Sequence, residues 1–147
     1  MPNINVNIQP GGALLSVLIG VSGPRASALM AASQPVPPMA LGTFLIDTGA
    51  SGTCVDPELI RNLSLQPTGR VAISTPSTAG SVHYCDQFDV ALFIPGNAGV
   101  GGHVVVALPI ITTHLRSQGI DGLLGRDVLN NCVLIYNGSA SILRLAY

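Results

Sequence analysis

Polar and apolar residues alternate at the start of the chain: Ile4, Val6 and Ile8 are spaced by Asn5 and Asn7 and followed by Gln9. A two-residue period of this kind predicts a strand with one buried face. Residues 14–21 are nearly all apolar and predict a second strand, buried more completely. Residues 22–38 break the pattern with four prolines and many Ala and Ser. They read as a long excursion with one helical turn near residues 26–31. Residues 43–46 return to a buried strand that runs into Asp47. Asp56-Pro57-Glu58 then has the form of a helix start, Asp at the N-cap and Pro at the first helical position, with Leu59, Ile60 and Leu63 as its apolar side. Residues 71–74 and 82–94 predict two strands flanking a tip at 75–81. A glycine-rich loop at 95–102 precedes a strand over 103–108. Residues 126–131 suggest one or two helical turns. Residues 133–136 and 141–145 form a hairpin around Asn137-Gly138, which suits a two-residue type I′ turn. The expectation is an all-β protein with one or two short helices. Residues 1–147 make a single domain without internal repeats.

Composition narrows the function. Of 147 residues, 48% are hydrophobic and only 9% charged, against about 25% charged in ordinary domains. This excludes disorder, which needs low hydrophobicity and high charge. Six arginines, no lysine and a net charge of −1 give no basic cluster for nucleic acid. A chain so apolar predicts surface hidden against a partner. Cys54, Cys85 and Cys132 are too few and too scattered for a disulfide framework, which fits a reducing, cytoplasmic setting. The longest apolar run near the N-terminus, 13–21, lacks a basic leader and is shorter than the roughly 20 residues a membrane span needs. Neither a signal peptide nor an anchor is therefore expected.

Seven carboxylates exist: Asp47, Asp56, Glu58, Asp86, Asp89, Asp121 and Asp127. Asp47 stands out because it follows Phe44-Leu45-Ile46 and precedes Thr48-Gly49. A buried strand that ends in a carboxylate, a hydroxyl and a glycine can hold the acid rigid and partly desolvated. Gly49 permits a tight turn there. Two such carboxylates facing each other share one proton and supply one acid and one base to activate a water.

Leu45-Ile46-Asp47-Thr48-Gly49-Ala50-Ser51 resembles the active-site motif of the aspartic proteases in their retropepsin-like, retroviral-type branch. Leu123-Leu124-Gly125-Arg126-Asp127-Val128-Leu129 resembles the apolar-apolar-Gly-Arg segment that follows in that family. There it forms the loop through which the active-site strand passes, with a short helix behind. The stretch 84–90 also resembles the retroviral enzymes, and the likeness spans most of residues 11–147.

The resemblance implies a closed β-barrel or sandwich, catalytic Asp47, and support from Thr48, Gly49 and Ala50. Thr48 would hydrogen-bond across subunits, and the Gly49 backbone would accept from an extended peptide. The loop Leu124, Gly125, Arg126 and Asp127 would be structural. Thr75, Pro76, Ser77, Thr78, Ala79 and Gly80 would form the flap over substrate. The chain has one such triplet, since Asp121-Gly122 lacks the intervening Thr and reads as a turn. A single triplet requires a homodimer for catalysis. The family would place terminal strands, 1–10 and the Leu143-Leu145-Tyr147 run, at its interface. No metal or cofactor is implied, and the substrate is a polypeptide. The alternative is a non-catalytic dimeric module that binds extended peptides.

Three departures from the retroviral and pepsin-like patterns shape these expectations. Ala50 replaces the hydroxyl residue of pepsin-like enzymes, and losing a donor to the charged pair predicts activity at mildly acidic to near-neutral pH. Ser51 stands where retroviral enzymes have the acid that pairs with the motif's Arg, so Arg126 needs another partner, such as Asp127 or Asp56. The flap is poor in glycine, and Pro76 removes one amide donor. Two other signals carry little. Gly49-Ala50-Ser51-Gly52 brings its second glycine one position too early for a nucleophile elbow. His83 and Cys85 with His103 or His114 lack the close ligand spacing of a zinc site.

Overall fold

The asparagines of β1 (Asn3–Gln9) face water while Ile4 and Val6 are buried, as the two-residue period requires. The structure is a computed structural model and describes residues 1–75 and 79–147. β2 (Gly12–Val21) pairs with β1, with β3 (Ala40–Ile46) and with β6 (His83–Ile94). Neighbours on both sides explain its nearly continuous apolar sequence. Between β2 and β3 the proline-rich stretch holds more helix than one turn. α1 (Gly23–Ala31) is nine residues long and capped by Ser22, whose hydroxyl accepts from the Arg25 amide at 3.4 Å. Pro24 falls in the first turn, where a missing N–H costs nothing. Leu29 anchors the helix in the core.

β3 alternates cleanly: Phe44 and Ile46 are buried, whereas Leu45 is half-exposed on the opposite face. Asp47, just past the strand, shares the Leu45 side by parity. β3 runs parallel to β8 (Gly122–Leu124), and β8 runs antiparallel to the short β4 (Cys54–Val55). A side chain at Gly122 would enter the Phe44 ring, so the parallel pair needs glycine there. As the sequence predicts, Asp56 caps α2 (Pro57–Ile60), which continues into a 3-10 turn (Arg61–Leu63); Leu59, Ile60 and Leu63 are buried. β5 (Gly69–Ile73) pairs with β6, and β6 pairs with β7 (His103–Thr112). β7 extends four residues beyond the predicted end because its second half pairs with both β6 and β4. α3 (Arg126–Leu129), β9 (Val133–Asn137) and β10 (Ile142–Ala146) complete the chain.

The strand order is β5-β6-β7-β4-β8-β3-β2-β1-β10-β9, with an extra β2–β6 pairing. The sheet is mixed and doubles back on itself through the β2–β6 pairing, with β5 and β9 at the two ends of the strand order. Its core gathers Val17, Ile19, Phe44, Val55, Val90, Leu92, Ile94, Leu124 and Leu145. The terminal strands pair within the chain, β1 with β10, and bury Ile4, Val6, Leu143 and Leu145 internally. Those side chains therefore already serve this chain's own core. The exposed apolar residues lie elsewhere, among them Leu41, Val104, Val106 and Ile135.

The C-terminal hairpin also differs from expectation. Asn137 still belongs to β9, paired with Ile142, so residues 138–141 form a four-residue loop. The Asn137 carboxamide oxygen accepts from the Ser139 hydroxyl at 2.8 Å and the Ala140 amide at 3.1 Å. Ser141 takes the left-handed conformation. An asparagine side chain closing its own turn competes here with the two-residue alternative. Among the described residues, no helix is long and apolar enough to cross a membrane.

Candidate active site

Asp47 is held at the end of β3 by its neighbours' backbone. Its amide donates to the Leu124 carbonyl at 3.0 Å, which continues the parallel β3–β8 pairing by one step. The chain then turns: the Gly49 amide donates to Asp47 Oδ1 at 2.8 Å and the Ala50 amide to the Asp47 carbonyl at 3.3 Å. Asp47 and Ala50 are half-buried, while Thr48 and Gly49 are exposed. One carboxylate oxygen is thus oriented by an amide, and the group stays accessible.

The two sequence motifs meet here. The Arg126 amide donates to the Ala50 carbonyl at 2.9 Å. Its guanidinium Nη1 donates to the carbonyls of Thr48 at 2.8 Å and Gly49 at 3.4 Å. The partner expected for Arg126 was a carboxylate, Asp127 or Asp56; the structure supplies the backbone of the Asp47 turn instead. Asp127 makes a second clasp. Its Oδ2 accepts from the Thr53 amide at 2.8 Å, and its Oδ1 from the Thr53 hydroxyl at 2.7 Å and the Val128 amide at 2.9 Å. The Thr53 hydroxyl in turn accepts from the Gly125 amide at 3.1 Å. Backbones pass so closely that a Cβ on Gly125 would stand 2.5 Å from the Gly52 carbonyl. Leu124 is fully buried beneath. Thr53, buried and central to this clasp, was not singled out from the sequence; only its distance from the Asp47 motif could have suggested it.

Asp121 and Asp56 stabilise the adjoining strands. Asp121, read as a turn residue, does more: Oδ2 accepts from the Thr43 amide at 3.0 Å, and Oδ1 pairs with Arg116 at 3.0 Å. Asp56 is 2% exposed. Beyond its cap to Glu58 at 3.0 Å, its Oδ2 accepts from the amides of Leu115 at 2.8 Å and Arg116 at 3.0 Å. Burial alone would raise its pKa, but these three amides, with the Arg116 charge, hold it below the ordinary carboxylate value.

Asp47 opens onto a cleft of about 1200 Å³. One transverse row of the sheet crosses it: Gln87, Ile111, Cys54 and Leu123 are in register across β6, β7, β4 and β8. Val71 and Ile73 from β5, Cys85 and His83 from β6, and Thr75 line it too. Among the described lining residues, Asp47 is the only carboxylate. The Cys54 thiol is pushed up to about 11, first by burial and then by the charges of Asp127, Cys85 and Asp47, so it contributes a neutral, apolar patch. Within the predicted flap, Pro76, Ser77 and Thr78 lie outside the described residues. Ala79 and Gly80 are exposed, with φ of 48° and 81°. His103 is paired with Tyr147 at a ring separation of 5.1 Å.

Comparison with known proteins agrees with this arrangement. The family model described as "Aspartyl protease" matches residues 39–128, from β3 through the α3 segment. No curated protein matches the chain. Among solved structures, the chain is similar to a retropepsin-like aspartic protease from Rickettsia conorii, with a TM-score of 0.60 and 14% identity. The alignment covers 99% of this chain and 91% of that one. The likeness is one of fold, while the family match spans both motifs and the strands between them. The chain belongs to the aspartyl protease family, with a retropepsin-like fold.

Proposed function

We propose that the protein is a homodimeric aspartic endopeptidase whose active site pairs Asp47 of one copy with Asp47 of another. The observation that carries this reading is a large cleft in which a single, amide-oriented carboxylate stands on the family-matched segment. One carboxylate cannot serve simultaneously as the acid and the base that this hydrolysis needs. A second copy related by a two-fold axis supplies the other, through an interface that is the same on both sides.

Two carboxylates brought together share one proton. The ionised member takes a proton from a bound water as the water oxygen attacks the scissile carbonyl carbon. The protonated member gives its proton to the carbonyl oxygen. Collapse of the tetrahedral diol breaks the C–N bond, with a proton passing to the leaving amine. Thr48 is the residue we assign to bridging the subunits. The Gly49 carbonyl accepts from the substrate backbone, and residues 75–80 act as the flap. An extended peptide fits a cleft lined by β5, the last strand on its side of the sheet.

The test is cleavage of an unstructured protein by wild type and by Asp47→Asn from about pH 3 to 8, alongside the mass in solution. Cleavage by a wild-type dimer and silence of the variant support the reading. Equal cleavage by both overturns it, as does a monomer that cleaves. Silence of both favours a dimeric module that binds extended peptides without turnover.

A further inference from the structure

The outer face of the β1-β10-β9 end of the sheet carries a pocket apart from the cleft. Pairing register brings its residues together. Asn5, Arg144 and Ile135 form one row across the three strands, and Asn7, Ile142 and Asn137 form the next. These positions face away from the core, because the alternate residues Ile4, Val6, Leu143 and Leu145 are buried and Leu134 packs against the core. Asn5, Ile135, Asn137, Ile142 and Arg144 enclose a space of about 250 Å³. None of the five lines the Asp47 cleft.

Arg144 is the only charged side chain in residues 1–24 and 128–147. Elsewhere Arg61, Arg70 and Arg116 meet carboxylates, and Arg126 braces the Asp47 turn. Among the described residues Arg144 has no acid partner; its Nε donates instead to the Asn5 carboxamide oxygen at 3.1 Å. That bond steadies the guanidinium and leaves its two Nη groups to donate outward. With its oxygen engaged, Asn5 is left with its NH2 as the free group. The Asn137 oxygen is filled by the Ser139 hydroxyl and the Ala140 amide, so its NH2 is free as well. The pocket therefore offers donors around one positive charge, with Ile135 and Ile142 as apolar wall.

We propose that Arg144, Asn5 and Asn137 form a docking pocket for a single carboxylate of a partner polypeptide, with Ile135 and Ile142 packing on the carbons beside it. The planar guanidinium matches the two oxygens of a carboxylate. One positive charge balances one carboxylate, whereas a phosphate dianion would be left half neutralised. β9 ends the strand order, so an extended segment can run beside it and place its acidic group in the pocket. The carboxylate belongs to a Glu side chain or to a chain end. The inference stands independently of the peptidase reading.

The experiment titrates the isotope-labelled full chain with capped single residues, which offer an endopeptidase no bond between residues. Acetyl-glutamate amide is compared with acetyl-glutamine amide, with acetyl-leucine bearing a free carboxylate, and with inorganic phosphate. Nuclear magnetic resonance follows the side-chain NH2 groups of Asn5 and Asn137 and the Nε–H of Arg144. At about pH 6.5 the Glu carboxylate is ionised. The Glu ligand should then shift these signals saturably and bind about tenfold or more tightly than the Gln ligand. Arg144→Gln should remove about tenfold or more of that affinity, with backbone signals elsewhere unchanged. Arg144→Lys keeps the charge without the fork and should fall between the two. Tighter binding of acetyl-leucine than of the Glu ligand assigns the pocket to chain ends. Equal binding of the Glu and Gln ligands overturns the proposal, as does phosphate binding as tightly as either carboxylate. Glu binding that survives in Arg144→Gln, or shifts confined to other residues, overturns it too. Should Arg144→Gln fail to fold, the wild-type ranking and the location of its shifts decide alone.

Discussion

Asp47 and Asp56 stand nine positions apart, each at the end of a strand in the same sheet, and the structure uses them in opposite ways. Asp56 is sealed, with both oxygens occupied by three backbone amides. Asp47 is half-buried, oriented through one oxygen by the Gly49 amide, and open to a cleft. What separates them is the neighbouring backbone. After Asp47 the chain makes a tight turn at Gly49, which supplies one amide. After Asp56 it enters a helix, and a second segment, Leu115 to Arg116, brings two more amides against it. A fully satisfied carboxylate stabilises structure, whereas an incompletely satisfied one in a cleft remains available for chemistry.

The largest expected effect tests that division at Asp47. Asp47→Asn keeps an oxygen to accept from Gly49 but removes the proton-transfer group from both halves of the proposed pair. Peptide cleavage should fall at least about 1,000-fold, while thermal unfolding shows stability unchanged within about 0.5 kcal/mol. A large loss of stability with activity retained would reverse the roles assigned to the two aspartates.

Asp56→Asn should do the opposite. The carboxamide NH2 would face amide donors that now meet an oxygen, leaving buried groups unpaired. A loss of about 3 kcal/mol is expected in urea unfolding at pH 7. The pH dependence follows from the sign of the shift. The folded-state pKa of Asp56 is lowered, so its stabilisation is fully present above the unfolded-state value near 4 and is lost as pH falls through the lower, folded-state value. The gap between wild type and variant should therefore be constant from about pH 5 to 7 and narrow below about pH 4. A gap that widened on acidification would contradict the amide-bonded state.

Much of this contrast was legible in the sequence, and the reasons are local. The Asp56-Pro57 helix start and the Asp47-Thr48-Gly49 turn are both written within a few residues, and the Leu124-Gly125-Arg126-Asp127 loop is as short. The apolar run Phe44-Leu45-Ile46 pointed to a buried strand, although only Phe44 and Ile46 are inside and Leu45 is half-exposed. Less legible were features that depend on residues far apart in the chain. The second segment on Asp56 comes from about 60 residues away. The partners of Arg126 are two backbone carbonyls, which leave no side-chain signature, so the sequence pointed to carboxylates. The cleft is a row of residues from four strands aligned by pairing register, none of which forms a motif on its own. α1 is a different case: Ser22 and Pro24 are ordinary start signals, but the surrounding prolines obscured its length. Asn137 kept its turn-forming habit while choosing a longer loop.

Cys54, between the two aspartates, sharpens the comparison through its accessibility to reagents. With a thiol pKa near 11, its thiolate fraction at pH 8 should be roughly 100-fold below that of a free cysteine. Alkylation followed by mass spectrometry should find Cys54 modified about 100-fold more slowly in folded than in urea-unfolded protein. Equal rates would mean that the cleft centre is wetter and more polar than the packing around Cys54 implies.

The smallest effect concerns how the open aspartate is kept in place. Asp56 is fixed by groups buried with it, but the Asp47 turn is held partly from outside, by the exposed Arg126 guanidinium on the Thr48 and Gly49 carbonyls. Removing this brace leaves the Asp47 amide, the Gly49 amide and the Asp127 clasp intact, so the fold should survive. The turn, however, gains freedom, and small displacements of a reacting group are costly. Arg126→Ala should lower kcat about tenfold with KM changed less than about twofold. Arg126→Lys should recover part of kcat, because an ammonium can still donate to one of the two carbonyls. A purely structural role would lower the melting temperature and the amount of active enzyme while leaving kcat per folded site unchanged. Active-site titration separates these outcomes. If kcat per site holds in Arg126→Ala, the backbone hydrogen bonds alone position Asp47, and the open aspartate is as firmly fixed as the sealed one.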